Sequence, residues 1–175
     1  MRALYARWMA RLYWACIWLS GLAIVVITVI IPWGVYTRYV LGTGSEWPEP
    51  AAVQLMVLFT FFGAAACYRA GGHIAVNLFS DMLPARGQRI IDRLVDLLMA
   101  LLALFMIVWG FQLVQQTWHQ SIAEFPWLSV GLAYMPLPLG SIVTLLFIIE
   151  HAWIGPAEDL REAAEDPLKA ESQVN

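Results

Sequence analysis

The sequence predicts an all-α integral membrane protein: four transmembrane helices, both termini cytoplasmic, and a short amphipathic interfacial helix between spans two and three. Composition is the first observation behind this. Of 175 residues, 61% are hydrophobic and 13% charged, with a mean hydropathy of +0.67. Soluble domains run nearer half apolar and a quarter charged, and 23 charged side chains are too few to clothe a soluble core of this size. The second observation is where the charges are missing. Residues 12–37, 50–68, 97–118 and 125–149 contain no Asp, Glu, Lys or Arg, and about 20 apolar residues span a bilayer. The third is the distribution of bases. Four spans put Arg2, Arg7, Arg11, Arg69, Arg86, Arg89, Arg93, Arg161 and Lys169 on one side and Arg38 alone on the other. By the positive-inside rule the basic side, with both termini, is cytoplasmic. Together these exclude a soluble enzyme, a nucleic-acid binder and a disulfide-stapled secreted domain.

The first span, about 12–37, follows three arginines but is far longer than the roughly 7–15 apolar residues of a signal peptide. It reads as a retained signal anchor, with Trp14, Trp18 and Trp33 near its ends as interfacial belts. The first outer loop carries Gly42 and Gly44, then Ser45, Glu46, Trp47, Pro48 and Glu49. Proline suits a first helical turn, and Ser45 or Glu46 is placed to cap span two, about 50–69. Gly71-Gly72 opens the inner loop. Positions 75, 78, 79, 82 and 83 then share one helical face, giving the interfacial helix at about 74–83, which Pro84 ends.

Span three covers about 92–118. At its inner end Asp92 and Asp96 interleave with Arg89 and Arg93 at the spacing of helical ion pairs. The second outer loop, His119 to Pro126, has one acid, Glu124. Span four, about 128–154, contains Pro136 and Pro138, which remove backbone donors and bend or unwind the helix. A simple bend and a packing notch both remain open there. The membrane domain thus occupies 1–154. Residues 155–175, with six acids against Arg161 and Lys169, form an acidic cytoplasmic tail that accounts for the net charge of −3.

Few residues carry chemistry. His73 and His151 fall at similar depth and leave open a haem- or quinone-binding anchor of a respiratory complex. Ordinary interfacial histidines explain them more simply. Cys16 and Cys67 show no zinc spacing. The span midplanes are aliphatic and aromatic, with only Thr28, Thr60 and Thr144 as mild polar groups. Substrate-carrying membrane proteins place broken helices and polar groups there, so this chain is a poor candidate for a translocating unit. Surfaces for packing are better supplied. Gly63 to Cys67, including Ala66, is a small-residue patch, and Pro136, Pro138 and Gly140 form a second candidate packing site.

The ordered landmarks resemble the small membrane subunit of tripartite ATP-independent periplasmic (TRAP) transporters. They run from Arg38-Tyr39 and Ser45-Glu46-Trp47-Pro48-Glu49 through Phe62-Gly63-Ala64-Ala65. They continue with Tyr68-Arg69, Gly72-His73-Ile74, Val76 and Leu83-Pro84, then Phe125-Pro126-Trp127 and Tyr134 to Gly140. The similarity covers about residues 10 to 155. Two departures are Pro50, where an aliphatic residue is usual after the paired acids, and Asn77, where an acid is common.

The resemblance implies a non-catalytic scaffold in the bacterial inner membrane, with no cofactor and no metal. Its partners would be a large membrane subunit of about twelve spans, a periplasmic substrate-binding protein and membrane phospholipids. The large subunit would carry an organic acid, such as a C4-dicarboxylate or sialic acid, by sodium-driven elevator motion. On this reading Arg38, Glu49 and Glu124 are candidate outer contacts. Arg69, Arg86, Arg89 and Arg93 would hold lipid head groups or the large subunit at the inner face.

Overall fold

A computed structural model describes residues 2–71 and 85–154. The expected interfacial helix at 74–83, His73 and the acidic tail at 155–175 lie outside the described residues. So do the side chains of Arg86, Arg89 and Asp92. The described chain runs α1 (Arg2–Tyr39), α2 (Pro48–Arg69), α3 (Ala85–Thr117), β1 (Ser121–Ile122), β2 (Phe125–Ser129), α4 (Val130–Tyr134) and α5 (Pro136–Ile154). Four stretches are long and apolar enough to cross a membrane: Arg7–Tyr39, Pro48–Arg69, Arg93–Thr117 and Val130–Trp153. The fold is therefore an all-α membrane architecture of four spans, with one small β-ribbon in a connection.

The helices form a row. Principal packing joins α1 to α2, α2 to α5 and α5 to α3, with α4 also resting on α3. The last span is the most buried of the four and the α3 span the least. One end of the row, here the terminal end, brings together the start of α1 and the ends of α2 and α5. The other is the hairpin end. The core sits toward the terminal end, where Met9 and Cys16 of α1 meet Ala65, Ala66 and Tyr68 of α2 and Val143, Phe147 and Ile148 of α5.

At the hairpin end α1 unwinds through widened bonds, Leu41 N to Tyr36 O and Thr43 N to Thr37 O. Gly42 then turns at φ 66°, a left-handed conformation that glycine adopts without steric cost. Neither Ser45 nor Glu46 caps α2. The N-cap is Trp47, without a side-chain cap bond. Pro48 at N1 has no N–H to satisfy and a pre-set φ, and the acidic Glu49 in the first turn suits the helix dipole.

The second connection holds a feature the sequence reading lacked. Ser121–Ile122 pairs antiparallel with Phe125–Ser129 around a tip at Ala123 and Glu124. Ser129 locks this ribbon to both neighbouring helices. Its Oγ donates to Trp118 O at 2.6 Å and accepts from Gly131 N at 3.1 Å.

Candidate functional site

The prolines of the last span break it at one residue. Pro136 cannot donate to Leu132 O, so Met135 N takes that carbonyl instead at 3.2 Å, and the helix restarts at Pro136. The break is filled from within the chain. Pro138 is fully buried. A Cβ on Gly110 of α3 would overlap Leu137 and come within 3.2 Å of Pro138. Gly140 lies against α2: a Cβ there would come 2.6 Å from Phe61 Cβ and 3.1 Å from its carbonyl carbon. Ala66 is buried, while Gly63 is half-buried and faces Ser20 Oγ of α1. The small-residue sites thus bring α3, α5 and α2 into close approach.

The polar site lies at the terminal end. Arg69 closes α2 and Glu150 lies one turn before the end of α5. Arg69 Nε donates to Glu150 Oε2 at 2.7 Å and its Nη2 donates to Oε1 at 2.9 Å. Glu150 is 2% exposed. The guanidinium also lies over two rings, 5.2 Å from the Tyr13 centroid on α1 and 5.5 Å from the Phe147 centroid on α5. Planar, weakly hydrated and unable to lose its proton, a guanidinium is suited to such a place.

A second tie lies beside it. Tyr68 donates its hydroxyl hydrogen to Asp96 Oδ1 at 2.6 Å, joining α2 to α3. His151 Nδ1 stands 3.0 and 3.1 Å from the two oxygens of the same carboxylate, joining α5 to α3. An ionised carboxylate only accepts, so Nδ1 carries the hydrogen in that state. Tyr5 completes the set, donating from α1 to Leu146 O of α5 at 3.4 Å. Burial, and then the charge of Glu150, push the Tyr5 hydroxyl above its ordinary pKa, so it remains a donor. All four long helices are tied at one end.

Sequence reasoning named Arg69, Asp96 and His151 but paired them otherwise. Asp96 does not form the expected helical pair with Arg93. It lies on the α3 face that also carries Ala103, Gly110 and Val114, which turns it into the row, while Arg93 is exposed. His151 faces Asp96 through Nδ1, and His73, its expected haem partner, lies outside the described residues. Glu150 and Tyr68 were missed. A signal existed for Glu150: it and Arg69 each end a charge-free run, and both runs descend to the same side of the row, whereas no such signal marks Tyr68.

Arg38, Glu49 and Glu124 stand exposed at the hairpin end, with no ion pair among the described residues. No three His, Cys, Asp or Glu side chains gather as a metal site among the described residues.

Comparison with known proteins accords with this frame. A family model described as the DctQ component of tripartite ATP-independent periplasmic transporters matches residues 27–155. A Haemophilus influenzae protein described as a TRAP transporter small permease is 26% identical over 131 residues, covering 75% of this chain and 80% of that protein. The sialic acid TRAP transporter small permease protein SiaQ of Vibrio cholerae is 27% identical over 117 residues, 65% of each chain and so just under two thirds of that relative. Four apolar spans and these relatives make it a multi-pass protein of the bacterial inner membrane. With 27–155 matched, the chain belongs to the DctQ component family of tripartite ATP-independent periplasmic transporters and is a small permease component of such a transporter.

Proposed function

We propose that the chain is a non-catalytic scaffold: it anchors and stabilises a large, sodium-coupled elevator subunit that imports an organic acid delivered by a periplasmic binding protein. The single observation that carries this reading is the use made of the buried charge. Ionisable residues in a membrane are functional candidates by default, yet Arg69, Glu150, Asp96 and His151 are committed to one another across α2, α3 and α5. A group that must bind and release an ion needs a free coordination position. These side chains, with Tyr5 and Tyr13 of α1, instead hold four helices in one arrangement, the property wanted in a static frame beside a moving one.

In this reading the terminal end is cytoplasmic. Arg86, Arg89 and Arg93 contact lipid head groups or the large subunit there, and Arg69 contributes as part of its pair with Glu150. Arg38, Glu49 and Glu124 face the binding protein on the other side. The relative named for sialic acid makes a carboxylated sugar acid one candidate cargo, beside C4-dicarboxylates. The test is affinity purification of the tagged chain from its native membrane in mild detergent. A membrane protein of about twelve spans is expected in stoichiometric amount, and recovery of this chain alone would contradict the proposal.

A further inference from the structure

On its inner face α3 packs Ala103, Gly110 and Val114 against α5 and α4. Its opposite face is open. Leu94, Leu98, Leu101, Phe105 and Val108 are all exposed and follow one another at alternating steps of four and three residues. That 3.5-residue repeat is the seam by which one helix meets another at a shallow crossing angle. The same steps continue to Gln112 and Gln115, with Gln116 beside them, and all three are exposed.

These amides distinguish the face from ordinary lipid-facing surface. Gln112 stands six residues before the exposed Trp118, about 9 Å down the helix, within the Arg93–Thr117 span. Acyl chains offer an amide no partner. Hydroxyls on the other exposed faces satisfy themselves within their helix: Thr28 donates to Ile24 O and Thr60 to Met56 O, each at 2.8 Å. The side-chain amides of Gln112, Gln115 and Gln116 make no hydrogen bond among the described residues. The exposed face of α1 between Trp18 and Trp33 carries no such unmet group; its one hydroxyl is that of Thr28.

From this contrast we infer that the outward seam of α3 is the docking face for a transmembrane helix of the large subunit, one that brings hydrogen-bonding side chains to the level of Gln112, Gln115 and Gln116. The inference rests on the scaffold reading and adds to it which of the two outer helices meets the partner. Amides between helices act as directional ties there, while the leucines below supply close packing.

The test uses the intact complex in native membranes, with a photo-crosslinking residue in place of Val108 or Gln115 on α3, or Val25 on α1. Adducts joining this chain to the large subunit are expected from positions 108 and 115 and not from 25. Large-subunit adducts from position 25 alone would overturn the inference, as would adducts between two copies of this chain from 108 and 115. Failure of any large membrane protein to co-purify would instead sink the scaffold reading itself. A second arm replaces the amides together, Q112L/Q115L/Q116L, which removes no hydrogen bond made among the described residues. Retained large subunit should fall roughly tenfold, as the loss of one or two interhelical hydrogen bonds gives. Undiminished retention would overturn the role given to the amides.

Discussion

Arg69 and Glu150, 81 residues apart in sequence, meet through two parallel hydrogen bonds of 2.7 and 2.9 Å at the terminal end of α2 and α5. Both side chains are nearly sequestered, at 12% and 3% exposure. Removing one partner of such a pair strands the other's charge. Glu150→Ala should therefore destabilise the fold by about 3 kcal/mol, measured by reversible unfolding in mixed micelles. The double replacement R69M/E150L should recover most of that loss, because it strands nothing. Equal damage from the single and double variants would contradict the account of the pair.

Asp96 serves two helices at once, accepting from Tyr68 on α2 and facing His151 on α5. Tyr68→Phe removes a hydrogen bond to a charged acceptor and should cost about 1.5 kcal/mol. Asp96→Asn should cost a similar amount, and the two together less than the sum. A double-mutant cycle reads this coupling directly; strict additivity would mean that the two side chains do not act on each other.

Glycine positions separate close approach from open surface. A Cβ at Gly131 would stand 2.7 Å from Val114 O and 2.9 Å from Trp118 Cα, both backbone atoms that cannot swing aside. Gly131→Ala should destabilise by about 2 kcal/mol through overpacking. A Cβ at Gly21 meets nothing within 4 Å, so Gly21→Ala should be neutral or slightly stabilising, given the better helix propensity of alanine. Paired thermal-stability measurements in one detergent check both signs.

Charge reversal at the hairpin end tests the proposed docking of the binding protein. Arg38, Glu49 and Glu124 are exposed and hold no ion pair among the described residues, so E124K should leave the stability of the fold within about 0.5 kcal/mol, while R38E in the last turn of α1 and E49K in the first turn of α2 each give up a helix-dipole contact and should cost about 1 kcal/mol. All three should raise the concentration of binding protein needed for half-maximal uptake, more so at low salt. An unchanged concentration dependence in the triple variant would remove these residues from the docking surface.

The four spans were legible because a bilayer imposes a length and an absence of charge that no soluble fold imposes, and both survive in the plain residue order. The terminal lock was not legible in full. Helical spacing pairs Asp96 with Arg93 on one helix, whereas which face of α3 turns inward depends on Gly110 and Gly131 accepting the backbones and side chains of other elements. Periodicity within one apolar helix does not mark that face, since lipid and neighbouring helices both take leucine. The β-ribbon at Ser121–Ser129 was hidden for another reason: its strands are short, and Ser129 holds it by bonds that depend on tertiary position.

Uptake into proteoliposomes tests the central claim most directly. Vesicles would contain this chain alone, the large subunit alone or both, with a loaded binding protein outside and an inward sodium gradient. The scaffold account predicts accumulation of the organic acid only where both membrane subunits are present. Sustained uptake by vesicles holding this chain without the large subunit would contradict it.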